Sequence, residues 1–358
     1  MRVLADGRFL SKPQTGIGRV SSELARRAPD HDCEIAFLTT GPPNKAYAAD
    51  NFSMHPNLAV CNHLPRLASL TRQVVRAADV FWGTSHRLPF ALPSDLPCVL
   101  SVHDMVWKKY PETMRWRTWL GERLLFSHAV HRANAIVCLS RSTAADVVHY
   151  FPETEDKISV VYPGASPAQA ERSPIEKPFA LFVGTLEPRK NLAVLIAAFA
   201  DLPTRVKDHL DLVIAGGDGW GGIDIKNIIV SHGLSSHIRV VKSPNDATLH
   251  QLYADCSFLV MPSLYEGFGL PIAEVMRYAK PVITSNTASM PEVAGEAGLL
   301  INPNEKSSIT EAIIQLIENK ALYKDLKGKA RSQANQFCWD SYAQDMIGVM
   351  STVIKTKK

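Results

Sequence analysis

Two glutamates eight positions apart frame the segment of this sequence that is best suited to bind a charged ligand. The segment starts at Pro262 and reads P-S-L-Y-E-G-F-G-L-P-I-A-E, so its acids are Glu266 and Glu274. Gly267 and Gly269 lie between them and let the backbone approach a ligand closely. Free N–H groups at a following helix start would attract an anion, while the carboxylates would accept hydrogen bonds from hydroxyl groups. Alternatively, Glu274 only stabilises its helix end and Glu266 is a solvated loop residue.

The flanking elements fit a ligand-binding turn. The apolar run 257–261 is long enough for one buried strand, and residues 272–279 can form a helix. Pro271 falls at a first helical position, where its missing N–H has no cost. The order strand, glycine loop and helix N-terminus therefore predicts an anion site.

A second turn of this kind runs from Gly184 to Asn191 and carries the adjacent cations Arg189 and Lys190. Two cations beside a strand-to-helix turn can neutralise a diphosphate, because both donate charged hydrogen bonds to phosphate oxygens. Solvated surface charges are the alternative.

His103 and Asp104 follow the predicted strand 98–102. Ligands of open α/β sheets bind beyond the carboxyl ends of the strands, so this location favours a functional histidine. A structural, hydrogen-bonded histidine is the alternative.

Gly16-Ile17-Gly18 suggests a dinucleotide site, but the sequence argues against it. The fingerprint G-x-G-x-x-G must follow the first strand directly, whereas here the loop is long and Ser21 occupies the third glycine position. An oxidoreductase is therefore disfavoured, and a flexible loop at the helix start is the simple alternative.

Strands alternate with helix-compatible segments along both halves of the chain, which is typical of parallel, doubly wound α/β sheets. The predicted strands are 3–5, 34–38, 58–61, 80–82, 98–102, 135–139, 158–161, 179–183, 212–215, 238–241, 257–261, 281–284 and 298–302. The length of 358 residues exceeds one ordinary domain, and residues 162–178 concentrate Pro, Gly, Ser and charge. We predict an N-terminal domain 1–162, a linker 163–178, a C-terminal domain 179–338 and a terminal helix 339–358.

The bulk composition argues against several classes of protein. The chain is 46% apolar and 21% charged, as soluble globular proteins are, and its net charge of +4 does not indicate a nucleic-acid partner. Its six scattered cysteines contain no C-x-x-C, so neither a disulfide framework nor a zinc site is indicated. The N-terminus lacks an apolar signal region, and the apolar run 192–200 is too short to span a bilayer. A cytoplasmic location is expected.

Together the motifs resemble the signature of the retaining glycosyltransferases of family 4, which have the GT-B fold. The resemblance rests on Glu-x7-Glu, on T-G-I-G-R from Thr15, on H-D-M from His103 and on G-T-L-E-P-R-K-N-L from Gly184. It implies two Rossmann-like domains that face each other across a cleft, with a nucleotide-sugar donor held mostly by the second. It also implies that the terminal helix crosses back to the first domain.

The resemblance implies roles for individual residues. His103 and Glu266 would position the donor sugar, while Arg189 and Lys190 would stabilise the leaving diphosphate. Many family members carry a further base where this chain has Thr185, so Lys190 is expected to carry more of this role than Arg189.

Other residues are assigned to the nucleotide and to the acceptor. Glu274 would hold the ribose hydroxyls, and the strand end at Ser243 would meet the nucleobase. Arg19 is an acceptor-side candidate, and Asp104 would either meet the acceptor or orient the His103 ring. The predicted donor-binding residues are Gly16, Gly18, Gly184, Arg189, Lys190, Ser243, Glu266, Gly267, Phe268, Gly269, Leu270 and Glu274.

The implied reaction is transfer of a hexose from a nucleotide sugar to an acceptor hydroxyl with retention of configuration. The motifs look like those of bacterial mannosyltransferases of surface polysaccharide assembly. GDP-mannose is therefore the expected donor, and a glycan or a polyprenyl-diphosphate-linked glycan the expected acceptor. A nucleotide-sugar epimerase of the same fold and a non-catalytic nucleotide-sugar-binding module are the alternatives.

No metal or other cofactor is expected. In other glycosyltransferase folds a D-x-D pair holds a divalent cation on the donor diphosphate. Here the one such pair, Asp30-His31-Asp32, falls between the first helix and the second strand, at the wrong end of the sheet for ligands.

The stretch 106–123 mixes three tryptophans with five basic residues. Such a composition suits peripheral contact with the anionic inner face of the cytoplasmic membrane. The residues expected to make it are Lys108, Lys109, Arg115, Trp116, Arg117 and Trp119. Alternatively, the aromatic residues face the core and the bases form a solvated helix face.

Overall fold

The computed structural model describes residues 1–11, 15–39, 44, 47, 53–55, 75–167, 174–221 and 224–356, and the chain divides into two compact units. Unit 1 comprises Met1–Trp107, Trp116–Gly164 and Cys338–Lys358. Unit 2 comprises Lys108–Arg115 and Ala165–Phe337.

Unit 1 is built on a parallel sheet whose seven described strands have the order β3-β2-β1-β4-β5-β6-β7. The strands are β1 Arg2–Asp6, β2 Glu34–Leu38, β3 Ser53–His55, β4 Val80–Gly83, β5 Cys98–Val102, β6 Ala135–Cys138 and β7 Ile158–Val160. Strand order reverses between β1 and β4, which makes their carboxyl ends the expected ligand-binding edge.

The helices of unit 1 cover this sheet. They are α1 Gly16–Arg27, α2 Val106–Lys109, α3 Trp116–Arg132, α4 Arg141–Tyr150 and α13 Trp339–Thr356, of which α2 ends in the first segment of unit 2. The strands β4, β5 and β6 are buried along their whole length, as strands covered on both faces must be.

Unit 2 repeats the plan with six described strands in the order β10-β9-β8-β11-β12-β13. The strands are β8 Phe179–Val183, β9 Asp211–Gly216, β10 Ile238–Lys242, β11 Phe258–Met261, β12 Val282–Ser285 and β13 Gly298–Ile301. The helices are α5 Leu192–Ala200, α6 Thr204–Lys207, α7 Ile225–Ser231, α8 Asp246–Asp255, α9 Leu270–Met276, α10 Met290–Ala294, α11 Lys306–Glu318 and α12 Lys320–Ala334. Here the order reverses between β8 and β11.

The predicted elements differ from the observed ones at a few places. The predicted strand 58–61 lies outside the described residues, and the short edge strand β3 was not predicted because no apolar run marks it. The helix predicted at 272–279 begins earlier, at Leu270, because Gly269 adopts a left-handed conformation with φ of 92° and starts it there. Glu274 is consequently the fifth residue of α9 and not part of its first turn.

The segment Lys108–Arg115 was predicted to belong to the first domain but groups with unit 2. The Trp220 indole donates a hydrogen bond to the Thr113 carbonyl at 2.6 Å, and the Arg115 guanidinium lies 5.4 Å from the Trp220 ring centroid. Among the described residues, no helix has the length and apolar character needed to cross a bilayer.

Candidate functional site

The two loops that carry the predicted phosphate and sugar contacts of unit 2 are tied to each other. They follow β8 and β11, the neighbouring strands at the switch point. The Leu264 N–H donates to the Arg189 carbonyl at 2.9 Å, and the Asn191 side-chain amide donates to the Pro262 carbonyl at 3.2 Å. The loops therefore form one rigid edge at the ligand-binding end of the sheet.

Four charged residues form a compact group on this edge, which we call the Glu266 cluster: Glu187, Arg189, Lys190 and Glu266. Lys190 Nζ donates to Glu266 Oε1 at 2.6 Å, and an Arg189 N–H donates to Glu266 Oε2 at 2.8 Å. The second arm of the Arg189 guanidinium pairs with Glu187. Both predicted cations and the first predicted glutamate are thus brought together.

Glu266, the centre of this cluster, is buried and ionised. Burial by itself would raise the pKa of Glu266. The positive charges of Arg189 and Lys190 outweigh this effect and lower the pKa to about 2. For Glu187 burial outweighs the attraction of Arg189 and raises the pKa. A lysine ammonium has three N–H donors, and the bond to Glu266 uses one of them. Lys190 can therefore bind a second anion without leaving Glu266.

Glu274 is held by a tyrosine that sequence reasoning missed. Tyr253, on α8, is fully buried and donates its hydroxyl to Glu274 Oε2 at 2.7 Å. This hydrogen bond helps to orient the Glu274 carboxylate.

Gly269 and Gly184 shape this edge, whereas Ser243 lies at the end of a different strand. A Cβ on Gly269 would come within 3.2 Å of Ile272 and Met261, and a Cβ on Gly184 within 3.3 Å of the Lys190 side chain. The absence of a side chain at Gly184 thus gives Lys190 its room. Ser243 lies apart from this group, at the carboxyl end of the edge strand β10, where its N–H donates to the Gly216 carbonyl at 2.9 Å.

A row of hydroxyl groups fixes the loop that carries Glu266. These side chains donate to main-chain carbonyls between residues 261 and 268, and they are Thr284, Ser285, Thr287 and Ser289. The Ser289 hydroxyl lies 2.9 Å from the Glu266 carbonyl and 3.0 Å from that of Phe268. The Phe268 ring packs edge-on against Phe337, so this residue can offer its backbone and not its side chain. The signal in the sequence was the hydroxyl-rich run 284–289 at the end of β12 and directly after it.

At the switch point of unit 1, Asp6 and Arg8 form an ion pair that sequence reasoning missed. Asp6 is 1% exposed, and its carboxylate accepts the Arg8 Nε–H at 2.9 Å. The Arg8 guanidinium also reaches the Ser85 hydroxyl, at 3.3 Å. The signal was D-G-R directly after the first strand, at the edge where ligands bind.

His103 is buried and neutral. Its Nε2 lies 2.7 Å from the Thr84 carbonyl, which can only accept, so Nε2 carries the proton and Nδ1 is an acceptor. Burial, together with the neighbouring His86, lowers the pKa of His103 to about 4. Asp104 accepts the Val106 N–H at 3.1 Å. The Thr84 carbonyl thus orients the His103 ring. Orientation of this ring was one of the two roles predicted for Asp104.

A second histidine, His86, links His103 to α3 and was not predicted. Its Nε2 accepts the backbone N–H of His103 at 3.0 Å, and its Nδ1 lies 3.3 Å from Glu122 Oε2. Arg87 donates to the other Glu122 oxygen at 2.9 Å. Burial raises the pKa of Glu122, but His86 and Arg87 lower it to about 2.

The predicted residues of T-G-I-G-R lie in the first turn of α1. The Thr15 hydroxyl accepts the Gly18 N–H at 3.3 Å and caps this helix. A Cβ on Gly18 would lie 2.0 Å from the Tyr47 hydroxyl, so packing requires this glycine. Gly16 is exposed and Arg19 half-buried.

Asp30 and Asp32 lie in a turn that precedes β2, at its amino end. The described part of the chain contains no group of three or more His, Cys, Asp or Glu residues placed to hold a metal ion. Metal-independent chemistry remains a prediction.

Two doubly wound sheets, each with charged residues at its switch point, match the GT-B class of glycosyltransferases. The crystal structure of Anabaena HepE in complex with UDP and glucose shares this fold, with a TM-score of 0.79 and 20% identity over 98% of this chain and 100% of that one.

Family models match both halves of the chain. The model for glycosyltransferase family 4 matches residues 14–169, and the model for glycosyl transferases group 1 matches residues 167–333. The chain therefore belongs to the group 1 glycosyltransferases of family 4.

Its relatives include mannosyltransferases. O-antigen chain mannosyltransferase B of Escherichia coli is 29% identical over 97% of this chain and 98% of its own length. The serotype-specific mannosyltransferase WbdA of Escherichia coli is 27% identical over 82% of this chain, which corresponds to 38% of WbdA.

Proposed function

We propose that this glycosyltransferase moves mannose from GDP-mannose to a hydroxyl of a glycan in cell-surface polysaccharide biosynthesis, with retention of configuration. The choice of mannose is supported by the similarity to O-antigen chain mannosyltransferase B over almost the whole length of both chains. The observation that carries the chemistry is the Glu266 cluster at the switch point of unit 2.

The leaving diphosphate gains negative charge as the sugar departs. Lys190 and Arg189 are held in a buried site by carboxylates, so they need little reorganisation to stabilise that charge. A guanidinium and an ammonium group both suit phosphate oxygens.

The sugar itself needs acceptors for its hydroxyl groups. Ionised Glu266 accepts hydrogen bonds, and neutral His103 offers Nδ1 because Nε2–H is directed to Thr84. Both residues would fix the reacting carbon for attack. In this proposal the acceptor oxygen bonds to that carbon on the face from which the phosphate leaves. The departing phosphate oxygen takes the acceptor proton, and no protein nucleophile is needed.

The experiment combines ligand binding with product analysis. Thermal shifts should be largest for GDP and GDP-mannose among GDP, UDP, ADP and their sugars, because a ligand at saturation stabilises the folded state. Incubation of GDP-mannose with a glycan acceptor should yield GDP and an α-linked mannoside by NMR. Exhaustive chelation should leave the rate nearly unchanged.

Each competing interpretation predicts a different outcome. A GT-B epimerase would convert the nucleotide sugar without any acceptor, and a binding module would show thermal shifts but no product. A β-linked product would overturn retention, and a rate restored by magnesium after chelation would overturn metal independence. A preference for UDP or ADP sugars would overturn the choice of donor.

The proposal includes an acceptor carried by a membrane lipid, and the observation that supports it is an exposed apolar row on α3. Trp116, Leu120 and Leu124 recur every four residues and therefore share one side of the helix. Their exposed fractions are 67%, 39% and 64%. Phe90, 61% exposed, extends the row by packing on His128, with ring centroids 4.2 Å apart. We call these residues, Phe90, Trp116, Leu120 and Leu124, the Trp116 face.

Basic residues flank the Trp116 face. Arg117 and Arg123 lie on either side of the row, and the one acid of α3, Glu122, is buried. An apolar row with arginines at its margins suits the headgroup region of an anionic bilayer. Of the other tryptophans in this stretch, Trp107 packs in the core against Phe126 and Trp119 is half-buried. The core-packing alternative thus fits Trp107, while Trp116 is the exposed candidate.

A further inference from the structure

His86 occupies an unusual place at the switch point of unit 1. It follows β4, and its ring spans the space between Glu122 on α3 and the main chain that follows β5. Its side chain is 12% exposed and its ring packs edge-on against Phe126. The Nε2 atom of His86 lies 3.0 Å from the backbone nitrogen of His103 and 3.4 Å from the backbone nitrogen of Asp104.

These contacts specify the protonation of the ring. A backbone N–H can only donate, so Nε2 of His86 must present its lone pair to His103. The ring proton therefore sits on Nδ1, which faces the Glu122 carboxylate. The neutral imidazole with this tautomer accepts the His103 N–H and carries its proton on the side of Glu122.

We propose that His86 is a positioning residue for His103: its neutral ring holds the backbone of His103 and Asp104, and a proton gained at Nε2 releases that backbone. The proposal rests on the role of His103 given under the proposed function. A displaced backbone would move the His103 ring relative to the sugar, and small displacements at a reacting centre lower turnover strongly.

The groups around His86 set the direction of its titration. Burial lowers the pKa of His86, whereas Glu122 and, more weakly, Asp104 raise it, and Arg87 lowers it slightly; the result is a raised pKa. His103, the other ring that faces it, stays neutral because its own pKa is lowered. The hydrogen bond to Nε2 is therefore present above the pKa of His86 and lost as the pH falls through it, so kcat should fall on the acid side.

The kinetic test uses two substitutions at one position. His86→Ala removes the acceptor and should lower kcat on the order of a hundredfold, with a smaller change in the KM for the donor. His86→Gln supplies an amide oxygen that accepts the same N–H and does not titrate. It should recover most of the lost kcat and flatten the decrease of kcat on the acid side. His31→Gln, at an exposed turn before β2, is the matched control and should keep the wild-type profile.

A second measurement does not depend on activity. In protein labelled with 15N-histidine, the His86 ring should show a proton on Nδ1 at high pH. The His103 backbone amide should shift with the same midpoint as the His86 ring, and should show no such midpoint in His86→Gln.

The two measurements separate the failure of the proposed function from the failure of the inference. If no donor is used, the proposed function fails, and the NMR titration still tests the contact between His86 and His103. A His103 amide that ignores the titration of His86 would overturn the inference. Wild-type kcat and pH profile in His86→Ala would do the same.

Discussion

Lys190 and Glu266 lie 76 positions apart in the sequence and form a 2.6 Å ion pair in the interior of unit 2. Breaking a buried pair leaves one charge uncompensated, which costs several kcal/mol. Here Glu266 keeps Arg189 as a second partner, at 2.8 Å, so the loss of Lys190 need not unfold the unit. This makes Lys190 a suitable residue for a functional test.

We expect Lys190→Ala to lower kcat by about a hundredfold or more, since the leaving diphosphate loses a preorganised cation. Lys242→Ala is the control, because Lys242 is an exposed base of the same unit that pairs with Asp218 at 3.1 Å. Steady-state kinetics measures the effect, and thermal unfolding verifies that the variant is folded. Undiminished turnover in a folded Lys190→Ala protein would show that the phosphates bind elsewhere.

Tyr253 offers a test of the nucleotide site at a distance from the reacting atoms. Tyr253→Phe removes the 2.7 Å hydrogen bond that orients Glu274. We expect GDP affinity to fall by about fivefold to tenfold, which corresponds to about 1 kcal/mol, the net contribution of one ordinary hydrogen bond. Glu274→Ala should weaken binding more, and kcat at saturating donor should change little in either variant.

Isothermal titration with GDP measures this effect. Tyr323→Phe is the control, because the Tyr323 hydroxyl donates to the Ser257 carbonyl at 2.9 Å and lies on α12. Equal GDP affinities in wild type, Tyr253→Phe and Glu274→Ala would remove Glu274 from the nucleotide site.

The two sides of helix α3 differ in character. Its buried side presents Glu122 to His86, and its exposed side carries the Trp116 face. A helix with one charged residue directed inward and an apolar row directed outward is unusual, because apolar rows normally face the core. Either the row has a partner or it is a liability for solubility.

The Trp116 face can be tested by sedimentation with lipid vesicles. Binding to anionic vesicles should exceed binding to neutral ones and decrease with salt, because each flanking arginine contributes about 1 kcal/mol near the surface. Leu120→Ser with Leu124→Ser, and separately Arg117→Glu with Arg123→Glu, should reduce it. Val230→Ser, which alters an exposed apolar residue of unit 2, should not. Equally negligible binding of the wild type to both vesicle types would end the membrane proposal and leave a soluble acceptor.

Among the described residues, each unit has one buried glutamate whose pKa is lowered to about 2: Glu122 in unit 1 and Glu266 in unit 2. The ordinary value is 4.5. A folded-state pKa below the unfolded one means that the stabilisation is complete above pH 4.5 and is lost as the pH falls towards 2. Both units should therefore lose stability in the same acid range.

Denaturant unfolding at neutral pH and near pH 3 measures this loss. Glu122→Gln and Glu266→Gln should each lower stability at neutral pH, because cations lose their partner, and should each show a weaker dependence on pH. A Gln variant with the full wild-type pH dependence would show that its glutamate is not the titrating group.

The fold was predictable because both sheets are buried on two faces. Strands such as Phe179–Val183 and Ala135–Cys138 are continuous apolar runs, and many of the turns between strands and helices contain glycine or proline. These local signals specify the α/β class and most strands. Strand β3 and the grouping of Lys108–Arg115 with unit 2 were not predicted. Both depend on partners that are distant in the sequence, so no local pattern indicated them.

The candidate site residues of unit 2 could also be proposed from the sequence alone, because glycine loops with charged residues after a strand are local motifs. Arg189, Lys190, Glu266 and Glu274 were proposed in this way. Their partnerships were decided by the tertiary structure, since strand order brings the ends of β8 and β11 together. The same holds for Tyr253 beside Glu274 and for His86 beside His103, where single residues from different elements meet. A hydrogen bond of this kind depends on a distance in space, and residue spacing along the chain carries no information about it.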